Sequence, residues 1–326
     1  MYKMVLQQLE TLGRLQVVTI LDGEKKGKKI VHPISKDREV LSVGIQTLEN
    51  QKVYVENLAK QPHLVVLGGG HVSLSVCKLA KTLGFYVTVI DNRCEFANKE
   101  RFPMVDQCIC QEFEPAIDSI ENSFNTYYVI VTRGHKDDSI CAMKCLEKNH
   151  SYLGMIGSRG KVAITKKRLI ELGVEEELLH SDVFYAPIGL NIYAETPEEI
   201  AVSIMGQMIQ VKNVKKESPF DLEIQTCIEN GEEGVLVTII EKSGSSPRGV
   251  GSRMLVFPDK RIVGTIGGGA VEGHAILEAA SFFNTDEKIL VKEYVLNDNH
   301  SASIGMICGG RNTVMFEKIN NKNIAI

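Results

Sequence analysis

The stretch His63-Leu-Val-Val-Leu-Gly-Gly-Gly-His-Val-Ser73 decides the fold of this chain. Its four apolar residues, 64–67, predict a buried strand, and the spacing of apolar residues over 74–83 predicts a helix after the glycines. Glycine allows the tight turn between them, because it has no Cβ. Gly68-x-Gly70-x-x-Ser73 approximates the dinucleotide fingerprint, in which N–H groups at the start of a helix face a phosphate.

A second predicted strand, 85–90, ends at Asp91, which lies 23 positions after Gly68. This is where a ribose-binding acid follows the glycines of a dinucleotide-binding unit. Together these features predict an α/β fold with a Rossmann-like, doubly wound parallel sheet. The glycines would also suit a turn that serves only helix–strand packing. Ser73 replaces the third glycine of the fingerprint, so the sequence does not fix a standard nicotinamide pose.

Length and charge limit the class of protein. A chain of 326 residues predicts two domains, with a smaller third piece. The net charge of −4 and the lack of a long basic stripe argue against nucleic acid or an anionic membrane as partner. The sequence shows neither a signal peptide over residues 1–16 nor an apolar run of membrane-spanning length, which favours a cytoplasmic protein.

The eight cysteines are scattered along the chain. In the cytoplasm they would stay reduced. Cys108 and Cys110 share one face of a predicted strand, and Cys141 and Cys145 lie one turn apart on a predicted helix. Neither pair has the spacing of a zinc site, so we expect thiols of the core or the surface and no metal ligands.

The loops after two predicted strands bring polar residues to one edge of the sheet. The strand predicted at 127–132 opens into Arg133-Gly-His-Lys-Asp-Asp138. In a doubly wound sheet this strand lies next to the glycine-turn strand, where the chain direction reverses and ligands bind. We therefore expect His71 and His135 to face each other across that crevice and to contact a ligand. For Asp138, a helix cap is the first interpretation and a ligand contact the second.

Further basic positions in this part of the chain suit an anion. Arg93 follows the ribose-acid position, so it either pairs with an additional phosphate or is a solvated loop charge. Gly157-Ser-Arg-Gly-Lys161 starts a basic helix after a strand predicted at 152–156. Small residues such as Ser158, together with Arg159 and Lys161, suit a phosphate or a carboxylate there, and a tight turn with solvent-facing charges explains them equally well.

A second glycine turn lies in the C-terminal part of the chain. Strands predicted at 235–240, 254–257 and 261–266 lead to Gly267-Gly-Gly-Ala-Val-Glu272 and a helix over 271–283. Glu272 either contacts a ligand or only favours the helix dipole. The loop 242–253 carries Arg248 and Arg253 among small residues, which favours anion binding and also fits a long hairpin.

Cys308 lies among glycines in Ile304-Gly-Met-Ile-Cys-Gly-Gly310. Exposed backbone around this thiol suits contact with a ligand or with sulfur. The thiolate would need positive neighbours such as Arg248, Arg253 or Arg311. A cysteine of the core is the alternative.

The first 60 residues repeat the order of a later segment. Short strands are predicted at 17–21, 29–33 and 40–43. Gln16-Val-Val-Thr-Ile-Leu21 parallels Leu236-Val-Thr-Ile-Ile240, and Gly27-Lys-Lys-Ile-Val31 parallels Gly251-Ser-Arg-Met-Leu-Val256. We interpret 1–61 as a degenerate repeat of the C-terminal domain that kept the strands and lost the site. The other predicted domains are a Rossmann-like domain at 62–214 and a second α+β domain at 215–326, with a linker at 212–219.

These blocks resemble the XdhC/CoxI family, the accessory proteins of xanthine dehydrogenase and related molybdenum hydroxylases. In the Rossmann-like part the resemblance rests on Gly68-Gly-Gly-His71, Asp91-Asn-Arg93, Arg101-Phe-Pro103, His135 with Asp138, Ile156-Gly-Ser-Arg159, Ala186-Pro-Ile-Gly189 and Thr196-Pro-Glu-Glu-Ile200. In the second domain it rests on Gly244-Ser-Ser-Pro-Arg248, Gly264-Thr-Ile-Gly-Gly-Gly-Ala-Val-Glu272 and Gly305-Met-Ile-Cys-Gly-Gly310. Two departures are the reversed domain order and Arg133-Gly134, where many family members have His-Asp.

The resemblance implies a maturation factor rather than a turnover enzyme. Such a factor binds molybdenum cofactor, holds it while a cysteine desulfurase partner supports its sulfuration, and delivers it to the apo-hydroxylase. A homodimer is also implied. The residues expected to contact the cofactor are Gly68, Gly69, Gly70, His71, Asp91, Arg93, His135, Asp138, Ser158, Arg159, Arg248, Arg253, Gly267, Gly268, Gly269 and Glu272. Cys308 would touch molybdenum or carry sulfur, since thiolate is a soft ligand.

Two other functions fit the residues. An NAD(P)-dependent oxidoreductase is supported by the fingerprint and Asp91, although we find no hydride-transfer pair such as Tyr-x-x-x-Lys. A regulatory nucleotide-binding module without chemistry is the third interpretation. Bound pterin and molybdenum would favour the maturation factor, and nicotinamide binding with turnover would favour the enzyme.

Overall fold

The chain folds into two compact units in a computed structural model that describes residues 2–34, 40–180, 182–214, 217–244, 248–295 and 310–319. Gln61–Lys216 form the first, which we call the Rossmann unit. Met1–Lys60 and Glu217–Ile326 together form the second, which we call the paired-sheet unit. Within the described ranges, every helix is too short or too polar to cross a bilayer.

The elements are numbered along the chain. The strands are β1 (Arg14–Ile20), β2 (Lys29–Pro33), β3 (Gly44–Leu48), β4 (Gln51–Ala59), β5 (His63–Leu67), β6 (Tyr86–Asp91), β7 (Gln107–Cys110), β8 (Thr126–Ile130), β9 (Tyr152–Met155), β10 (Glu217–Pro219), β11 (Gly234–Ser243), β12 (Arg253–Val256), β13 (Ile262–Gly264), β14 (Ile289–Val295) and β15 (Arg311–Ile319). The helices are α1 (Tyr2–Leu12), α2 (His71–Thr82), α3 (Phe113–Ser119), α4 (His135–Leu146), α5 (Arg159–Glu171), α6 (Pro197–Val214), α7 (Leu222–Asn230) and α8 (Gly269–Phe283), with a 3₁₀ turn at Glu176–Leu179.

The Rossmann unit contains a parallel sheet of strand order β7-β6-β5-β8-β9. Successive side chains of β5 point to opposite faces, and both faces are covered. Leu64 and Val66 pack with residues of α2 and α6, whereas Val65 and Leu67 pack with residues of α3, α4 and α5. The doubly wound α/β fold is confirmed. The strand order reverses between the parallel strands β5 and β8, so their carboxyl ends frame a crevice at one edge of the sheet.

The paired-sheet unit contains two sheets with the same connections. β1 lies between β2 and β4, and β11 lies between β12 and β15. β3 pairs with β4, just as β14 pairs with β15. The pairing registers also agree: Thr19 faces Lys29, and Thr238 faces Arg253. These shared pairings favour the proposed repeat.

Two predictions about local structure were wrong. Residues 40–43 do not form a strand, because the next strand begins only at Gly44. The linker predicted at 212–219 is largely structured: α6 continues to Val214, and Glu217–Pro219 form β10, which pairs in parallel with β4. A proline that lacks an N–H is tolerated there, because β10 is an edge strand.

The expectation of reduced cysteines was wrong for Cys94 and Cys110, which form a disulfide with a Cα–Cα distance of 5.2 Å. Cys110 ends β7 in register with Asp91, and the chain after Asp91 folds back far enough to bring Cys94 to it. That separation is within the range a disulfide requires. The other cysteines of the described ranges remain thiols; they are Cys77, Cys108, Cys141, Cys145 and Cys227.

Candidate functional site

In the glycine turn after β5, two positions must be glycine because backbone carbonyl groups of the protein lie close to them. Gly68 has a φ of +111°, and a Cβ there would lie 2.5 Å from the carbonyl oxygen of Val131. A Cβ at Gly69 would lie 2.0 Å from the carbonyl oxygen of Phe96. Gly70 differs, because its φ is −73° and a Cβ there would meet no protein atom within 4 Å. The turn therefore leaves open space at Gly70.

This open space lies at the N-terminus of α2. Gly70 is the N-cap residue of that helix, and within the described ranges the helix start has no side-chain cap. The first N–H groups of a helix and its positive end favour an anion. The Ser73 hydroxyl donates a hydrogen bond of 2.5 Å to the Gly68 carbonyl oxygen, so the residue that replaces the third fingerprint glycine fastens the turn. His71 is exposed beside it.

The ribose-acid position, Asp91, is already hydrogen-bonded on both oxygens. The Arg93 guanidinium donates to Oδ1 at 2.9 Å and to Oδ2 at 2.8 Å, and the backbone N–H groups of Arg93 and Gly69 donate at 3.0 and 2.8 Å. Burial by itself raises the pKa of the Asp91 carboxyl, but these hydrogen bonds outweigh it and the net pKa lies below the ordinary value. Asp91 is 1% exposed. Arg93 is thus neither a solvated loop charge nor free for a phosphate in this state.

The segment of residues 92–101, which we call the cover segment, lies over the glycine turn. The guanidinium of Arg93 stacks 3.8 Å from the ring centroid of Phe96, whose backbone carbonyl abuts Gly69. Arg101 donates a hydrogen bond of 2.9 Å to the Gly69 carbonyl oxygen. Neither the position of Phe96 against the turn nor the hydrogen bond of Arg101 to it was predicted from the sequence. The sequence feature that could have indicated a role for Arg101 is the block Arg101-Phe-Pro103, which is part of the family resemblance.

On the other side of the crevice, Asp138 does not cap α4. The N-cap residue is Gly134, and Asp138 is the fourth residue of the helix, with its side chain buried. Its Oδ1 accepts a hydrogen bond of 2.6 Å from the Thr132 hydroxyl, and its Oδ2 lies 2.5 Å from the Lys161 ammonium. A buried carboxylate needs such partners. The cap interpretation was wrong, because Gly134 is the N-cap residue and the Asp138 carboxylate pairs with Thr132 and Lys161. The His135 side chain lies outside the described part of the structure, and its predicted position opposite His71 stays a prediction.

The start of α5 combines a cap with an exposed cation. Ser158 is the N-cap residue, and its hydroxyl accepts a hydrogen bond of 3.3 Å from the Lys161 N–H. Arg159 is the first helical residue and is exposed. Ser158 therefore has a structural role, whereas Arg159 extends into solvent at a helix N-terminus.

The second glycine turn, before α8, already holds a carboxylate of the chain. Gly267, Gly268 and Gly269 have φ values of +121°, +72° and +68°. Glu272 Oε2 accepts hydrogen bonds from the Thr265 hydroxyl at 2.5 Å and from the N–H groups of Ile266 and Gly268 at 3.0 and 3.1 Å. Burial raises the pKa of Glu272, but these bonds outweigh it and lower the net value. Glu272 thus fills the place that an anionic ligand would take.

Arg253 is likewise used inside the protein. Its side chain is 2% exposed and forms an ion pair with Glu56, while its guanidinium lies 4.8 Å from the ring centroid of Phe220. Its guanidinium is therefore not available to a cofactor. The sequence around Arg253 does not indicate Glu56 as its ion-pair partner, because Glu56 lies in the distant N-terminal segment. Arg248 is exposed. The predicted sulfur or molybdenum contact, Cys308, lies outside the described residues.

The chain therefore combines a doubly wound, Rossmann-type unit, in which a glycine turn precedes a helix, with a second unit that also contains a glycine turn. Residues 64–208 match the XdhC Rossmann domain, and residues 227–294 match the XdhC and CoxI family. The chain belongs to the XdhC/CoxI family.

Similar proteins include two bacterial chains of greater length. The chain is 31% identical over 203 residues to the uncharacterized protein YqeB of Escherichia coli (strain K12), which is 62% of this chain and 36% of YqeB. It is 29% identical over 164 residues to a probable xanthine dehydrogenase subunit of Bacillus subtilis (strain 168), which is 50% of this chain and 47% of that protein. The match thus spans less than half the length of either relative.

A solved structure has a similar fold. A xanthine dehydrogenase from Bacillus halodurans superposes with a TM-score of 0.50 at 24% sequence identity, and the alignment covers 66% of this chain and 64% of that chain. At this identity the similarity concerns the fold alone.

Proposed function

We propose that this protein is an accessory factor in the maturation of a xanthine dehydrogenase-type molybdenum hydroxylase. It binds molybdenum cofactor as cargo, supports its sulfuration together with a cysteine desulfurase, and delivers it to the apo-hydroxylase. Membership of the XdhC/CoxI family supports the general role, as does the name of the Bacillus subtilis relative. We also propose that it acts as a homodimer in the cytoplasm.

The observation that carries cargo binding is the open space at Gly70 in front of α2. A phosphate there would face N–H groups to which no side chain is hydrogen-bonded, at the positive end of a helix. The second glycine turn fits a phosphate less well, because the Glu272 carboxylate is bonded to its N–H groups. We therefore assign the pterin phosphate to the turn at Gly70. The cargo supplies the molybdenum centre, and the chain binds and orients it.

The experiment is cofactor binding by the full chain and by Gly70→Val. Purified protein is incubated with released molybdenum cofactor, separated by gel filtration, and assayed for pterin fluorescence and for molybdenum by mass spectrometry. The Cβ of valine at position 70 would enter the open space with no protein atom within 4 Å, and its methyl groups would occupy the place of the phosphate, so we expect binding to fall at least about tenfold, which corresponds to ~1.4 kcal/mol.

Gly273→Val in α8 is the matched control, because a Cβ there also meets no protein atom within 4 Å. The control should bind like wild type, and circular dichroism should show that both variants fold. If Gly70→Val binds the cofactor as well as the control does, the phosphate does not bind at this turn. Cys308→Ala, assayed in parallel for sulfur on the cofactor, tests the proposed thiol contact.

A nucleotide-binding function is the second candidate, and the position of Asp91 at the end of β6 favours it. In the present arrangement Arg93 occupies both oxygens of that carboxylate, so a ribose would have to displace it. Titration with NAD⁺ and NADP⁺ distinguishes the candidates. Tight nicotinamide binding with turnover would identify an oxidoreductase, and binding without turnover a regulatory module.

A further inference from the structure

The disulfide between Cys94 and Cys110 lies directly beside the ribose-acid position. Cys94 follows Arg93 in the chain, and Cys110 faces Asp91 in the pairing of β6 with β7. We propose that this disulfide is a redox modification site that holds the cover segment closed, and that its reduction opens Asp91 to the ribose diol of a nucleotide. This inference does not rest on the proposed maturation function.

The cover segment blocks the carboxylate that a diol would use. A vicinal diol donates two hydrogen bonds to a carboxylate, and Arg93 now makes the equivalent contacts with Oδ1 and Oδ2. With Asp91 only 1% exposed, ribose and Arg93 compete for the same two oxygens. The N–H of Gly69, a residue outside the cover segment, also donates a hydrogen bond to this carboxylate. Moving Arg93 would therefore expose an acid that is already oriented.

The disulfide is the covalent attachment of the cover segment within this site. The other contacts of its side chains are noncovalent, and they include Phe96 against Gly69, the hydrogen bond from Arg101 to Gly69, and hydrogen bonds from the Lys99 ammonium to the Val105 and Asp106 carbonyl oxygens. Asn98 closes the segment on itself through a hydrogen bond of 2.7 Å to the Cys94 carbonyl oxygen. Because Cys94 is joined to β7, the disulfide restrains the backbone that carries Arg93 beside Asp91. Opening the bond leaves the cover segment held to the rest of the site by noncovalent contacts alone, apart from its own backbone.

The chemistry is thiol–disulfide exchange with a dithiol reductant. Cys94 and Cys110 are both in exposed positions, so a small dithiol can reach the bond. A thiolate of the reductant attacks one sulfur and forms a mixed disulfide, while the other cysteine leaves as a thiolate and takes up a proton. The second thiol of the reductant then resolves the mixed disulfide. The products are two cysteine thiols and one oxidised dithiol, so two electrons pass from the reductant to the protein.

The test measures ADP binding by the full chain with the disulfide intact and after treatment with dithiothreitol, using isothermal titration calorimetry. Peptide mapping establishes the redox state of each sample. We expect ADP to bind at least about tenfold more tightly to the reduced protein. This factor applies if the disulfide keeps the open, ADP-binding state below about a tenth of the population. 2′,3′-Dideoxy-ADP, which lacks the diol, should not gain affinity on reduction.

Three variants distinguish opening of the Cys94–Cys110 disulfide from an unrelated effect of reduction. Cys110→Ser should bind ADP like the reduced protein with or without dithiothreitol, and Arg93→Ala should do so in both redox states. Cys108→Ser, which removes a thiol of the same strand that is not in the disulfide, should keep the redox dependence. Equal ADP affinity of oxidised and reduced wild type, equal gain for the dideoxy nucleotide, or absence of binding by Arg93→Ala would each overturn the proposal.

Discussion

The ion pair between Arg253 and Glu56 gives the most quantitative prediction for the paired-sheet unit. The two side chains are 2% and 3% exposed. Removing one partner of a buried pair leaves an uncompensated charge and costs about 3–5 kcal/mol. Glu56→Gln keeps the shape of the side chain and removes only its charge. We therefore expect the variant to lower the free energy of unfolding of this unit by about 3 kcal/mol.

Hydrogen–deuterium exchange read by mass spectrometry suits the measurement, because it reports on each unit of the full chain separately. A loss of about 3 kcal/mol raises the population of the open state by about a hundredfold. Peptides from β4 and β11 should exchange faster by that factor when exchange follows global opening. Peptides from β5 and β8 should not change, because these strands belong to the Rossmann unit.

The matched control is the pair of Lys26 and Glu287, whose side chains are 37% and 62% exposed. Glu287→Gln removes one charge of a solvated pair, so its cost should stay below about 1 kcal/mol. Replacing Glu56 and Arg253 together by leucine should recover part of the stability, because neither residue then leaves an unpaired buried charge. If Glu56→Gln accelerates exchange no more than Glu287→Gln does, burial of the Arg253–Glu56 pair does not raise the cost of removing one of its charges.

Three further predictions concern stability. Gly69→Ala should cost at least about 1–3 kcal/mol, because its Cβ would overlap the Phe96 carbonyl, whereas Gly70→Ala should leave the unfolding midpoint in guanidinium unchanged. Burial lowers the pKa of His63 to about 4. The unfolded state, with an ordinary pKa of about 6.5, then binds the proton first, so stability falls by up to about 3 kcal/mol as the pH drops from about 6.5 to 4. His63→Gln should abolish that component of a pH titration of unfolding. Glu272→Ala should destabilise the paired-sheet unit by about 1–3 kcal/mol, measured by exchange in its peptides, because three donors lose their acceptor.

Local patterns predicted the Rossmann unit well. The apolar run before Gly68 and the glycines themselves are contiguous in sequence, so periodicity and turn chemistry identify strand, turn and helix without knowledge of distant residues. The site depends on contacts between segments. Asp138 resembles a cap when only its own helix is considered, but its partners Thr132 and Lys161 come from the end of β8 and from α5. Pairing of that kind is invisible to local rules.

Buried charges of the paired-sheet unit join the N-terminal segment, which lacks the site motifs, to the C-terminal sheet. Lys29 on β2 pairs with Glu317 on β15 at 2.7 Å, and Arg253 on β12 pairs with Glu56 on β4. Lys29 and Arg253 hold equivalent positions, each facing a threonine of the central strand, so each sheet supplies the cation for the carboxylate of the other. Such reciprocal exchange is typical of two copies related by a twofold axis. We therefore propose that residues 1–61 are an internal second copy whose Lys29 and Glu56 pair with the buried charges of the C-terminal sheet.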